Sequence, residues 1–114
     1  MRREESDVRL SLAEGRAPTV VVKGEIDWAT APRLRSCLEE AGALAPAEVV
    51  LDMTELTFID SANLGVLAVA HKALAAQGSR LVVTNAPPAA IMVFRLSGLE
   101  QMLTVRAGPE DSTR

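Results

Sequence analysis

Three short apolar runs constrain this chain most: Val20-Val21-Val22, Val49-Val50-Leu51 and Leu81-Val82-Val83. Each is valine-rich, bounded by turn residues and too short for an ordinary helix, which reads as a buried strand. Between them, Leu34, Cys37, Leu38 and Ala41 recur at helical spacing, as do the apolar residues from Ser61 to Ala76. Strands alternating with helices imply a sheet with a parallel portion, because parallel neighbours need crossovers that pack helices against the sheet.

The N-terminal part differs. Val8, Leu10 and Leu12 alternate with Arg9 and Ser11, the period of a half-buried strand. Gly15-Arg16-Ala17-Pro18 is a turn, so this strand and Thr19–Lys23 are expected to form an antiparallel hairpin. Gly24-Glu25-Ile26-Asp27 is then expected to leave the sheet. Thr30 before Ala31-Pro32 suits a helix cap followed by a proline in the first turn, and Gly42 suits its end. Glu48–Met53 is a further strand, and Thr57–Asp60 either extends it or leads into the next helix. That helix stops at Gly78, and Ser79–Thr84 is the next strand. Pro87-Pro88 opens a third helix through Leu96, ended by Gly98, before a last strand over Gln101–Val105. The order β-β-α-β-α-β-α-β predicts one α/β domain over residues 1–114, with an ordered core over about 8–106 and short flexible tails.

Composition narrows the function. At 114 residues the chain fits one domain, and 48% hydrophobic residues suffice for a core. Trp28, Phe58 and Phe94 are the only aromatics and the net charge is −3, so the basic, stacking surface of a nucleic-acid binder is missing. Cys37 and His71 are single, which leaves no thiolate metal site, no internal disulfide and no expected cofactor. No apolar stretch approaches the roughly 20 residues needed to span a bilayer. The charged start is unlike a signal peptide, so a cytoplasmic protein off the membrane is expected.

Two enzymatic readings fail. Ser61, His71, Asp27 and Asp60 contain the ingredients of a hydrolase triad. However, Ser61 and His71 stand ten residues apart on one helix, about 15 Å at 1.5 Å rise per residue, where a nucleophile and its base need about 3 Å. A phospho-accepting receiver domain needs a lysine near its last strand, whereas Lys23 and Lys72 are the only lysines and Arg95 and Arg106 stand there instead. Cys37 and His71 read as packed helix residues. A protein that binds another protein and performs no catalysis is expected.

The informative segment is Phe58-Ile59-Asp60-Ser61-Ala62-Asn63-Leu64-Gly65-Val66-Leu67. By local chemistry alone Ser61 is a helix cap, with Asp60 beside the positive helix end. The segment also resembles the signature of STAS domains of the anti-anti-sigma type, which runs aromatic–hydrophobic–Asp-Ser-Ser/Thr-Gly-Leu-Gly-Val-Leu. Gly24-Glu25-Ile26-Asp27 with Thr30 resembles that family's block before its first helix, and Phe94–Leu99 resembles its late helix-ending block.

The resemblance implies a STAS-like mixed β-sheet, an N-terminal antiparallel hairpin followed by β-α repeats with packed helices. It implies an anti-sigma factor antagonist whose unphosphorylated form binds an anti-sigma factor serine kinase and releases the sigma factor. Ser61 would be the phosphorylated residue and a serine phosphatase would reset it. The implied partner-binding residues are Asp27, Asp60, Ala62, Asn63, Gly65, Val66 and Val69, and the implied assembly is a monomer or weak dimer. Ala62 and Asn63 depart from the signature, and Asn63 is expected to substitute for a glycine whose backbone is unusual. Two other classes stay open, a non-phosphorylated STAS scaffold or transporter-associated subunit and a nucleotide-binding regulator.

The helix from Ser61 is apolar nearly all round. Leu64, Leu67, Ala68, His71, Leu74 and Ala75 share a stripe expected to pack on the sheet. Val66, Val69, Ala73 and Ala76 point elsewhere, either under another helix or as an exposed interface.

Overall fold

A computed structural model describes residues 6–106. Strands β1 (Asp7–Ser11), β2 (Thr19–Ile26), β3 (Glu48–Ile59), β4 (Arg80–Thr84) and β5 (Thr104–Arg106) alternate from β2 onward with helices α1 (Ala31–Ala43), α2 (Ser61–Ala76) and α3 (Pro88–Ser97). The strands lie side by side in chain order. β1 and β2 are antiparallel, and β2 through β5 are parallel. The mixed sheet and hairpin are as the sequence predicts. The tail expected over residues 108–114 lies outside the described residues.

Register explains the core. Val8 pairs with Val22, Val20 with Leu51, Leu51 with Val83, and Val49 with Leu81, so one face of the sheet is a continuous aliphatic layer. Leu34, Cys37, Leu38 and Ala41 of α1, Val66, Leu67 and Leu74 of α2, and Ala90 and Phe94 of α3 close over it in one buried cluster. Paired residues Val21, Asp52, Thr84 and Arg106 occupy the opposite face, where Glu48 forms ion pairs with both Arg80 and Arg106.

The structure corrects the expectation that Gly24–Asp27 leaves the sheet. β2 runs on to Ile26 and β3 to Ile59, paired across two register shifts at which β3 carries an extra residue. These bulges move the buried positions of β3 from Val49, Leu51 and Met53 to Leu56 and Ile59, which hides the strand from a period-two reading. Gly24, at φ +77°, accommodates the second shift in a conformation that side-chain-bearing residues disfavour. Both strands finish together, with Ile26 opposite Ile59, and Asp27 and Asp60 follow at the carboxyl end of the sheet.

Three boundaries differ for local reasons. Thr30 precedes α1 without a side-chain cap; its hydroxyl donates instead to the Asp27 carbonyl at 2.8 Å. α1 continues past Gly42 to Ala43. Near the C-terminus a single 3-10 turn, Leu99–Gln101, follows Gly98 at φ +85°, so β5 begins only at Thr104. No helix among the described residues is long and apolar enough to cross a membrane.

A candidate partner-binding site at the start of the second helix

Ser61 is the first residue of α2 and is exposed. Asp60, not Ser61, is the cap: its backbone is extended, and its carboxylate accepts a hydrogen bond from the Asn63 main-chain N–H at 3.2 Å. That corrects the cap reading of the serine. The Ser61 hydroxyl therefore lies free of a capping duty at the positive end of a helix, where main-chain N–H groups favour negative charge.

Two parallel strands fix what surrounds it. The Asp60 N–H donates to the Ile26 carbonyl at 3.2 Å, which ties the entry to α2 to the end of β2. Beyond Ile26 the chain turns tightly. The Asp27 carboxylate accepts from the Ala29 N–H at 3.0 Å, and its carbonyl accepts from the Thr30 N–H at 2.9 Å.

Asn63 joins the two segments. Its side chain is fully buried, and its Nδ2 lies 2.8 Å from the Asp27 carbonyl, 2.9 Å from Asp60 Oδ1 and 3.3 Å from the Ile26 carbonyl. Two N–H bonds are thus shared among three oxygens, while Asn63 Oδ1 is buried without a hydrogen-bond partner among the described residues. The expectation that Asn63 stands in for an unusual glycine backbone is overturned. It sits in the first turn of a regular helix, and among the described residues the only non-glycine ones at positive φ are Ala45 and Asn85. The residue is a clamp, and it offers no surface to a partner.

The other expected contact residues fall into two groups. Asp27 and Asp60 are half-buried at the carboxyl end of the sheet beside Ser61. Ala62, Gly65, Val66 and Val69 form one wall of a groove of about 330 Å³, whose other wall is Arg35, Leu38 and Glu39 of α1. Val66 is only 7% exposed because α1 covers it, whereas Val69 is 66% exposed. On this helix face Val66 is thus buried and Val69 open to solvent. Ala75, expected on the buried stripe, is exposed.

The structure also brings two aromatics to this end. Trp28, directly after Asp27, is 75% exposed, and Phe58, opposite Glu25 in the sheet, is 52% exposed. Phe94 is fully buried. A lone tryptophan outside every apolar period was the available signal for the first. His71 is half-buried on α2, and its Nδ1 has no hydrogen-bond partner among the described residues. Cys37 is buried with its thiol towards the Val8 carbonyl, and burial pushes that thiol up from its ordinary pKa. Among the described residues no group of three or more His, Cys, Asp or Glu could hold a metal ion.

Comparison with known proteins agrees with this fold. The family described as "Mlab, STAS domain" matches residues 8–104. An anti-sigma-B factor antagonist of Listeria monocytogenes is 31% identical over 87 residues, covering 76% of each chain. The crystal structure of an anti-sigma factor antagonist from Mycobacterium paratuberculosis superposes with a TM-score of 0.80 at 26% identity, covering 96% of this chain and 92% of that one. SpoIIAA, an anti-sigma factor antagonist solved in its unphosphorylated form, shares the fold with a TM-score of 0.72 at 18% identity, covering 94% of each chain. A chain whose sequence matches over nearly its whole length, and whose sheet ends on Asp27 and Asp60 beside an exposed Ser61, belongs to the STAS domain family.

Proposed function

We propose that this protein is an anti-sigma factor antagonist switched by phosphorylation of Ser61. In the unphosphorylated form it binds an anti-sigma factor that is a serine kinase, and so frees the sigma factor. Phosphorylation ends the complex, and a serine phosphatase restores the binding form. One observation carries the reading: Ser61 is exposed at the N-terminus of a sixteen-residue helix, at the end of two parallel strands, beside Asp27 and Asp60. Carboxyl ends of parallel strands are where α/β sheets hold their functional groups. The names of the Listeria and Mycobacterium relatives support the same reading.

The chemistry is balanced by ATP as phosphoryl donor. The Ser61 oxygen forms a bond to the γ-phosphorus, the bond from that phosphorus to the bridging oxygen breaks, and ADP leaves. A base on the kinase takes the hydroxyl proton. This chain's part is to present the hydroxyl in a fixed position and to accommodate the product at the helix N-terminus.

The switch follows from charge. The new phosphate carries about −1.5 to −2, and it is left facing the partner's nucleotide site. One unit of like charge about 5 Å away costs roughly 3 kcal/mol at an effective dielectric near 20. At 1.4 kcal/mol per tenfold in affinity, binding weakens by about a hundredfold or more.

One feature favours a second reading, a STAS scaffold or transporter-associated subunit that is never phosphorylated. The signature's glycine is replaced by the buried clamp Asn63, and its Ser/Thr by Ala62. The deciding experiment incubates the purified protein with the anti-sigma factor kinase of its own organism and ATP, and maps phosphate by peptide mass spectrometry. Phosphate on Ser61 is expected. Phosphate on Thr57 or Ser97 would displace the assignment, and binding without any phosphate would favour the scaffold.

A further inference from the structure

The chain's one tryptophan stands 75% exposed on a turn that is unusually well held. Asp27 caps that turn through the Ala29 N–H, and Thr30 closes it with both its N–H and its hydroxyl on the Asp27 carbonyl. The buried amide of Asn63 then fastens the same carbonyl to the helix that begins at Ser61. The backbone carrying Trp28 is therefore ordered before any partner arrives. An exposed indole costs its hydration in the free protein, and it recovers that cost only when something covers it.

The position decides what covers it. This inference rests on the proposed reading, in which a kinase brings the γ-phosphate of ATP against the Ser61 oxygen. A specific interface of standard size covers about 800 Å² on each partner, the area of a disc about 16 Å in radius. A disc centred on Ser61 takes in the Trp28 turn, since that turn is hydrogen-bonded to Asn63, two residues along the same helix. Phe58, at the end of β3 just before Asp60, falls inside it as well. Buried aromatics on a rigid frame dominate the binding energy of such contacts, because little side-chain entropy remains to be lost.

We propose that Trp28 is the anchor by which the anti-sigma factor is held over Ser61, its indole inserted into an apolar recess of that partner. Asn63 positions the anchor through the Asp27 carbonyl. The indole does not take part in phosphoryl transfer, so its contribution is to binding alone.

The test titrates the purified anti-sigma factor kinase into the protein and follows emission of Trp28, its only tryptophan. Emission should shift to the blue and become protected from iodide. Trp28→Ala should weaken binding at least tenfold, raise KM for Ser61 phosphorylation by a similar factor and leave kcat and Tm unchanged. Trp28→Phe should recover part of the loss. Leu12→Ala, at an exposed residue near the opposite end of β2, should change neither. Unchanged emission, or a Trp28→Ala protein that binds and is phosphorylated like wild type, would overturn the anchor while leaving the kinase reading intact. Loss of binding in Trp28→Ala without any Ser61 phosphorylation in wild type would support the anchor and overturn the kinase reading. A change in kcat at constant KM would overturn the anchor.

Discussion

The side-chain amide of Asn63 donates a 2.8 Å hydrogen bond to the main-chain carbonyl of Asp27, joining the helix that carries Ser61 to the turn that carries Trp28. This bond crosses 36 residues of sequence and is part-buried. Asn63→Gly removes it together with the bonds to Asp60 and Ile26, and places glycine in a helix. At about 1 kcal/mol for each net hydrogen bond and about 1 for glycine, the variant should lose about 2–4 kcal/mol by urea unfolding. A loss below about 0.5 kcal/mol would show that the clamp has no role in stability.

Ser61 and Asp60 should separate cleanly. Ser61→Ala leaves the cap untouched and should stay within about 0.5 kcal/mol of wild type, as surface changes do. Asp60→Ala removes the carboxylate that accepts from Asn63 and should cost about 0.5–2 kcal/mol. Thermal unfolding of both in one buffer decides the matter, and the reverse order would make Ser61 the cap after all.

Val69 and Val66 test the groove. Val69 is exposed, so Val69→Asp should leave Tm nearly unchanged while abolishing binding of the anti-sigma factor. Val66 lies under α1, so the same change there buries an unpaired carboxylate and should cost about 3–5 kcal/mol. Circular dichroism melts and a binding titration read both. An unfolded Val69→Asp would mean that this face is core.

Cys37 gives a pH dependence with a fixed sign. Burial, partly opposed by Arg33 and reinforced by Glu40 and Asp7, raises its pKa in the folded chain. The native thiol keeps its proton where the unfolded thiol has lost it, so this contribution is complete below the ordinary thiol range and is lost as pH rises from there through the raised value of the folded chain. Urea midpoints at pH 7 and pH 9.5 should fall more for wild type than for Cys37→Ala. Equal falls would contradict the assignment.

The residues that were legible in the sequence share one property, an unbroken period. Val20–Val22, Val49–Leu51 and Leu81–Val83 gave the strands, and the α1 stripe gave its buried face, because regular pleat and regular helix map directly onto spacing. The end of β3 was not legible, since two bulges shift its inward positions to Leu56 and Ile59. The role of Asn63 is hidden from the sequence for a different reason. Its neighbours in space are Ile26 and Asp27, and only the pairing of Ile26 with Ile59 brings them to it. Ser61 was found by its motif, yet its freedom from capping depends on Asp60 adopting an extended backbone.

The most direct test of the account compares one partner and two forms of this protein. The anti-sigma factor kinase is titrated, with ADP bound, against the unphosphorylated protein and against protein carrying phosphate only on Ser61. Binding about a hundredfold or more weaker is expected for the phosphorylated form, with unchanged Tm and with affinity restored by phosphatase treatment. Equal affinities for the two forms would contradict it, because Ser61 would then be a surface serine and not the switch.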